Sequence, residues 1–278
     1  MGAEARTTGR RLLGLGLALA LASLAPAAPS AAASPPVGPP PPEGPPAPAA
    51  SSANGDGRRT IGRLPANLGR AFIGVFDRDN LAPLLIGGAA TAASAALDEN
   101  VQGSIDSRAW DDAFATAGSP LYTTVFVGGM FAAGRFAPGT RFRVMTYDML
   151  DAFVVNAAYT EALKLAITRE RPDGQDEKSF PSGHTSTAFA LATVAERHYG
   201  WKVGVPAYAL AGVMGASRVQ QDKHYLSDVV AGATLGYIVG RTVERLNGRP
   251  LPAGRQATVS VTPILGRDVR GMRVSVVF

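Results

Sequence analysis

The chain has no cysteine among its 278 residues. That excludes disulfides, thiolate metal sites and a lipid-modified N-terminal cysteine. Histidine is scarce, so imidazole chemistry rests on His184, His198 and His224 alone. Charge is modest at +5, and arginine is scattered rather than massed in one block. Nucleic-acid binding has little support on that ground, whereas an anionic lipid or phosphorylated partner suits the basic balance. Long apolar runs are also missing. The uncharged stretches fall short of about 18 good apolar residues or are diluted by Gly, Ser and Thr, and the mean hydropathy is only +0.08. Thr146 to Lys164 also carries Asp148, Asp151 and Glu161, which are costly in a bilayer. The expectation is a bundle that is soluble or attached to a membrane surface rather than integral.

The N-terminus has its own pattern. Arg6, Arg10 and Arg11 precede an apolar run from Leu12 to Ala25, and small-residue triplets follow at Ala25-Pro26-Ala27 and Ala31-Ala32-Ala33. A charged start, a short apolar stretch and an A-x-A site describe a secretory signal peptide over residues 1–33. Residues 34–60 are rich in Pro, Ala, Ser and Gly and read as a semi-rigid linker that cannot bury a core. An exported protein without cysteine fits a periplasmic or cell-envelope location.

Residues 61–250 suit one domain with a sizeable core. Alanine-rich apolar segments recur at Leu81–Leu97, Leu121–Gly134, Thr146–Ile167, Thr185–Arg197, Val203–Ser217 and Tyr225–Val243. They are too long for typical strands, and Ala, Leu and Met favour helix. Breaks fall at Gly118-Ser119-Pro120, Pro138-Gly139, Pro172-Asp173-Gly174 and Gly200. The fold class is therefore all-α, a bundle of about six helices. Residues 251–278 differ: Val259 and Val261, then Met272, Val274, Val276 and Phe278, alternate with polar residues around Gly266-Arg267-Asp268. This predicts a C-terminal β-hairpin.

Three motifs in the middle of the chain carry the chemistry. Lys164 and Arg171 stand seven residues apart before Pro172, so they share a face if the helix runs that far. Arg169 falls off that face and reads as solvated. On its own the pair also fits an exposed basic face. Pro181-Ser182-Gly183-His184 precedes an apolar helix, where Ser182 can cap and Gly183 lets an anion approach free N–H groups. Ser217-Arg218 closes one apolar helix and His224 opens the next, with Asp228 one turn on. A carboxylate at that spacing can bond one ring nitrogen and leave the other free to attack. His198, beside Arg197, reads as exposed. Together the motifs supply three cations, two histidines, one carboxylate and a glycine turn before a helix. Each matched position has odds of roughly one in twenty at average usage, so coincidence is remote.

The order KxxxxxxRP, PSGH, SRxxxxxHxxxD resembles the signature of the type 2 phosphatidic acid phosphatase family, with every specified position filled. That family also takes in bacterial class A acid phosphatases and vanadium haloperoxidases. The resemblance implies a helical bundle and a metal-independent phosphatase without cofactor. In it, His224 would form a phosphohistidine, Asp228 would orient His224, and His184 would serve as acid and then base. Lys164, Arg171 and Arg218, with Ser182 and the N–H of Gly183, would hold the phosphoryl oxygens. One departure is the polar linker Val219 to Lys223, which suggests a wet approach to His224.

Phosphomonoesters and pyrophosphates, lipid-borne or soluble, are open as substrates, and the apolar segments beside the site tilt the choice toward lipid phosphates. A vanadium haloperoxidase would use the same pocket with vanadate on His224, but haloperoxidases of this family are generally much longer chains. A non-catalytic phosphate- or lipid-binding scaffold is the third reading, although no motif residue has been lost.

Overall fold

The computed structural model describes residues 57–102, 111–248, 258–265 and 270–277. The expected signal peptide and nearly all of the expected linker lie outside these residues, as does the expected hairpin turn.

Each of the six apolar segments forms a helix. We label the α-helices in chain order: α1 Leu64–Gly74, α2 Leu81–Ala95, α3 Asp98–Val101, α4 Asp111–Ala117, α5 Pro120–Phe136, α6 Thr140–Ile167, α7 Gly183–Tyr199, α8 Trp201–Gln220 and α9 Leu226–Gly248. The segments not expected are α1 and the two short helices α3 and α4. In α1, Gly69 and Gly74 dilute the apolar pattern that would have revealed it. The breaks have physical causes. Ser119 and Gly139 are extended residues ahead of α5 and α6, and Gly200, at φ +79, separates α7 from α8.

The architecture is built around α7 and α9. Gly232, Gly236 and Gly240 recur every fourth residue along α9 and face the backbone of α7. A Cβ at Gly232 would stand 2.6 Å from the carbonyl oxygen of Ser182, and one at Gly240 2.7 Å from that of Ala190. Only hydrogen fits there, so the two helices touch main chain to main chain. Around this pair lie two apolar clusters. One joins Phe189, Tyr208, Val219 and Val229 of α7, α8 and α9. The other joins Met145, Val155, Val194, Ile238 and Val239 of α6, α7 and α9.

One expectation about polar residues is corrected, that of an exposed His198. Asp148 and Asp151 are fully buried inside the protein. Asp148 accepts from Arg59 Nη2 at 2.7 Å and Asn247 Nδ2 at 2.9 Å, and Asn247 also donates to Asp151 at 2.8 Å. His198 is not exposed: its Nε2 lies 2.8 Å from Asp148 Oδ2, because the last turn of α7 delivers it against α6. This cluster ties Arg59, at the end of the linker, to the bundle.

Apolar side chains also face outward in number. Phe72, Ile73, Phe76, Leu85 and Ile86 are exposed on and between α1 and α2, as are Leu121, Val125 and Phe126 of α5 and Trp201 and Leu210 of α8. Among the described residues no helix is long and apolar enough to cross a membrane. At the C-terminus, β1 Thr258–Leu265 pairs antiparallel with β2 Arg270–Val277, with Val259 opposite Val276 and Val261 opposite Val274. This is the hairpin expected from the alternation.

Candidate active site

The three motifs converge at the ends of α6, α7, α8 and α9. The helix α6 stops at Ile167, where Thr168 turns left-handed at φ 41. The expected common helical face of Lys164 and Arg171 therefore does not exist, and it is Thr168, not Pro172, that ends the helix. The intervening loop, residues 168–182, folds back and meets the α8–α9 turn through backbone bonds. Ser182 N donates to Asp228 O at 3.0 Å, Asp173 N to Asp222 O at 3.1 Å and Ser179 N to Arg169 O at 2.9 Å. The loop route brings the two cations together where the helix would not.

His224 is the centre of the arrangement and is almost wholly buried. Its Nδ1 lies 2.7 Å from the carbonyl oxygen of Ser179. A carbonyl can only accept, so Nδ1 carries the proton and Nε2 keeps its lone pair. Nε2 faces Arg171 Nη1 at 3.4 Å. Asp228 does not make the expected hydrogen bond: its carboxylate is 3.8 Å from Nδ1 and acts on the ring as a nearby charge. The two are close, but His224 precedes the first residue of α9, Leu226, so it does not open that helix or share a helical face with Asp228, and a carbonyl from the PSGH side meets the ring instead.

Asp228 instead organises its surroundings. It accepts from Ser179 Oγ at 2.5 Å, Arg169 Nη1 at 2.7 Å and Tyr225 N at 2.9 Å. Burial works against its charge, yet these bonds and the Arg169 guanidinium outweigh it and hold the carboxyl below the usual carboxylate range. Arg169 is thus held in ion pairs rather than freely solvated, with its side chain 31% exposed. Its Nη2 also reaches Asp98 at 2.9 Å, and Asp98 in turn accepts from Ser227 N at 2.9 Å and Ser227 Oγ at 2.6 Å. Asp98, Arg169 and Ser179 were missed by sequence reasoning. The Arg-x-Arg-Pro spacing is a signal for Arg169, whereas nothing local marks Asp98 on its one-turn helix.

The remaining motif residues surround this core. Lys164 is buried, and its Nζ donates to Lys178 O at 2.6 Å. Burial first, and then the charge of Arg171, push its ammonium below the ordinary lysine value. Arg171 donates to Asp176 Oδ1 at 2.6 Å and to Lys223 O at 3.0 Å. Gly183 sits so that a Cβ there would lie 3.9 Å from Lys164 Cε, which places the lysine beside the PSGH turn. Ser182 occupies the N-cap of α7, but its hydroxyl accepts from Thr185 Oγ1 at 3.0 Å and does not cap the backbone. Arg218 is buried at the end of α8, and its carbonyl accepts the N–H groups of Lys223 and His224 at 3.0 and 3.2 Å. His184 lies on the first turn of α7, packed close to Gly118, where a Cβ would meet its ring at 2.5 Å.

Desolvation pushes His224 below the ordinary histidine value, and the charges of Lys164 and Arg171 add to that against Asp228. Its ring is held neutral in a basic surrounding. The polar linker is likewise explained. Lys223 pairs with Asp173 at 2.6 Å and with Gln175 at 2.8 Å, so these side chains pin the loop rather than line a wet approach.

Comparison with known proteins fits this geometry. Residues 147–249 match the PAP2 superfamily model. This part of the chain is similar to that superfamily. A lipid A 1-phosphatase of Porphyromonas gingivalis is 44% identical over 80 residues, 28% of this chain and 18% of that protein. A decaprenylphosphoryl-5-phosphoribose phosphatase of Mycobacterium tuberculosis is 33% identical over 106 residues, 35% of this chain and 58% of that protein. The matches span less than two thirds of either relative's length. The crystal structure of a transmembrane PAP2-type phosphatidylglycerolphosphate phosphatase from Bacillus subtilis is similar over 69% of this chain and 97% of its own. Its identity is 20% and its TM-score 0.47.

Proposed function

We propose that this PAP2-like domain is a metal-independent phosphatase acting on phosphomonoesters or pyrophosphates, with lipid phosphates as the favoured class, through a phosphohistidine. The observation that carries the reading is the His224 tautomer: Nδ1–H is committed to the Ser179 carbonyl, so Nε2 points its lone pair into a site walled by Arg171. In the first step Nε2 bonds to phosphorus and the bond to the leaving oxygen breaks, with His184 giving its proton to that oxygen. In the second, His184 takes a proton from water, the water oxygen bonds to phosphorus, and the P–N bond breaks to release phosphate. Lys164, Arg171 and Arg218, with Ser182 and the N–H of Gly183, hold the phosphoryl oxygens and offset the charge that builds on them. Asp228 holds Ser179, whose carbonyl fixes the His224 ring, and supports the ring's charge when it becomes cationic.

The lipid preference has two supports. The relatives named above act on lipid-borne phosphates by name, and the exposed apolar side chains of α1, α2, α5 and α8 suit a surface resting against lipid. An exported, envelope-associated location follows from the N-terminal pattern of the sequence.

The test is phosphate release from p-nitrophenyl phosphate in excess EDTA, wild type against His224→Ala. Wild-type turnover that is abolished in the variant, with folding and phosphate binding kept, is the expected result. Equal turnover in the variant would remove His224 as nucleophile, and loss of wild-type turnover with EDTA would remove metal independence.

A further inference from the structure

Beside the phosphate-facing residues lies a cavity of about 390 Å³ that none of the chemistry above uses. Its shape follows from its lining. The contributing residues of α7 run from His184 through Ala188 and Leu191 to Ala195, one helical face repeated over three turns. At 1.5 Å per residue this is a slot about 16 Å long. The antiparallel α8 lines about 10 Å of it, from Met214 beside the His184 end to Ala207. His184 is the one ionisable side chain in the lining; apart from two threonines the rest is apolar, including alanines on both helices where larger residues would fill the space.

The slot is also open sideways. Phe126 of α5 and Leu210 of α8 line it, yet are 54% and 60% exposed. Tyr122 and Val125 flank that opening on α5, and Val203 and Val205 lie further along α8, all of them exposed. One end of the slot is a histidine beside buried cations, and its side is an apolar surface. That is the complement of an amphiphile with an anionic head and one long tail.

We propose that the slot takes a single aliphatic chain of a phosphorylated amphiphile, which enters between α5 and α8 and lies along α7 with its phosphate at the His184 end. The proposal rests on the phosphatase reading above and adds to it a chain-length gauge, whose far end is lined by Ala195 and Ala207. Each methylene that leaves water for the slot should raise kcat/KM roughly threefold to fourfold, until the slot is full.

The test uses butyl, octyl and dodecyl phosphate below their micelle concentrations, with p-nitrophenyl phosphate alongside, on wild type and Ala195→Phe. In the wild type kcat/KM should climb steeply from butyl to octyl phosphate. In Ala195→Phe the ratio of dodecyl to butyl should fall by about tenfold or more, with p-nitrophenyl phosphate turnover largely kept. A flat wild-type series with p-nitrophenyl phosphate still hydrolysed would overturn the slot and leave the phosphatase standing. No hydrolysis of any ester would overturn the phosphatase reading itself. If Ala195→Phe loses p-nitrophenyl phosphate turnover as well, Phe126→Ser at the opening decides: a flattened chain-length series supports the proposal, and an unaltered one refutes it.

Discussion

Gly236→Ala tests whether contact between the α7 and α9 backbones holds the fold and the site together. In an exposed helix interior this exchange is favourable by about 1 kcal/mol, since alanine loses less backbone entropy on folding. At Gly236 the added methyl would overlap the carbonyl oxygen of Ser186, and would stand 2.8 Å from Ala190 N and 3.0 Å from Phe189 Cβ. The first two obstacles are main chain, with no flexible side chain to swing away. The helices must part by on the order of 1 Å, which unpacks the buried Phe189 and Ala190. Overpacking of this kind costs about 1–3 kcal/mol, and helix separation puts it at the upper end. Against the propensity gain, the net expectation is a loss of roughly 2 kcal/mol. The same separation would stretch the bond from Ser182 N to Asp228 O, 3.0 Å, which joins the starts of α7 and α9. Turnover should then fall by up to about a hundredfold, the usual cost of a 1 Å misplacement. Urea unfolding followed by far-UV circular dichroism reads the stability, and p-nitrophenyl phosphate hydrolysis reads the site. Gly88→Ala is the control, because that exposed glycine of α2 has nothing within 4 Å of an added Cβ, and it should gain up to about 1 kcal/mol. A Gly236→Ala protein as stable as wild type, with the control behaving as expected, would refute the close-contact argument.

Two further perturbations address groups that no motif announced. Asp98→Ala strips Ser227 and Arg169 of a shared acceptor, so kcat for p-nitrophenyl phosphate should drop about tenfold or more while KM changes little; an unchanged kcat would separate Asp98 from the site. Burial first, with the charge of Asp148 adding to it, raises Asp151 from 3.8 to about 7 against the bond from Asn247 and the charges of Arg70 and Arg59. The native state then keeps a proton that the unfolded chain has lost, so its stabilising effect is complete below 3.8 and is lost as pH rises toward about 7. The span corresponds to at most roughly 4 kcal/mol, and urea midpoints across it should decline in wild type but much less in Asp151→Asn; equal slopes would refute the raised value.

The helices were legible because apolar runs of alanine and leucine are long, and because Gly118, Gly139 and Gly200 punctuate them. The candidate residues were legible because they stand in motif order: Lys164, His184, Arg218 and Asp228 lie at converging helix ends, Arg171 in the loop after α6 and His224 in the turn before α9. Partners were harder to read. The i,i+4 spacing correctly predicts proximity of His224 and Asp228, but a competing acceptor, the Ser179 carbonyl, comes from a loop whose course depends on Thr168 turning left-handed. Asp98 is 130 residues from Asp228, and its one-turn helix has no periodicity to detect. The α9 glycines at 232, 236 and 240 were a signal on the page, since small residues every fourth position mark a helix face that meets another closely.

The partner assignments also divide the labour among the cations. Arg169 is committed to Asp228 and Asp98, so the buried carboxylate behind His224 has its own counter-charge. It therefore does not draw on Lys164 and Arg171. Those two stand close enough that the charge of Arg171 lowers the lysine, and both lower His224. In the proposed reaction, cations that disfavour one another in the resting protein would be relieved by a phosphoryl dianion between them. The same surplus, with burial, favours the neutral His224 ring, the form that attacks in the proposed reaction. Without Arg169, Asp228 would be left to the substrate-facing cations and would lessen both effects. In the proposed reaction, the arginine that the motif leaves unspecified is thus what leaves the specified ones to the substrate.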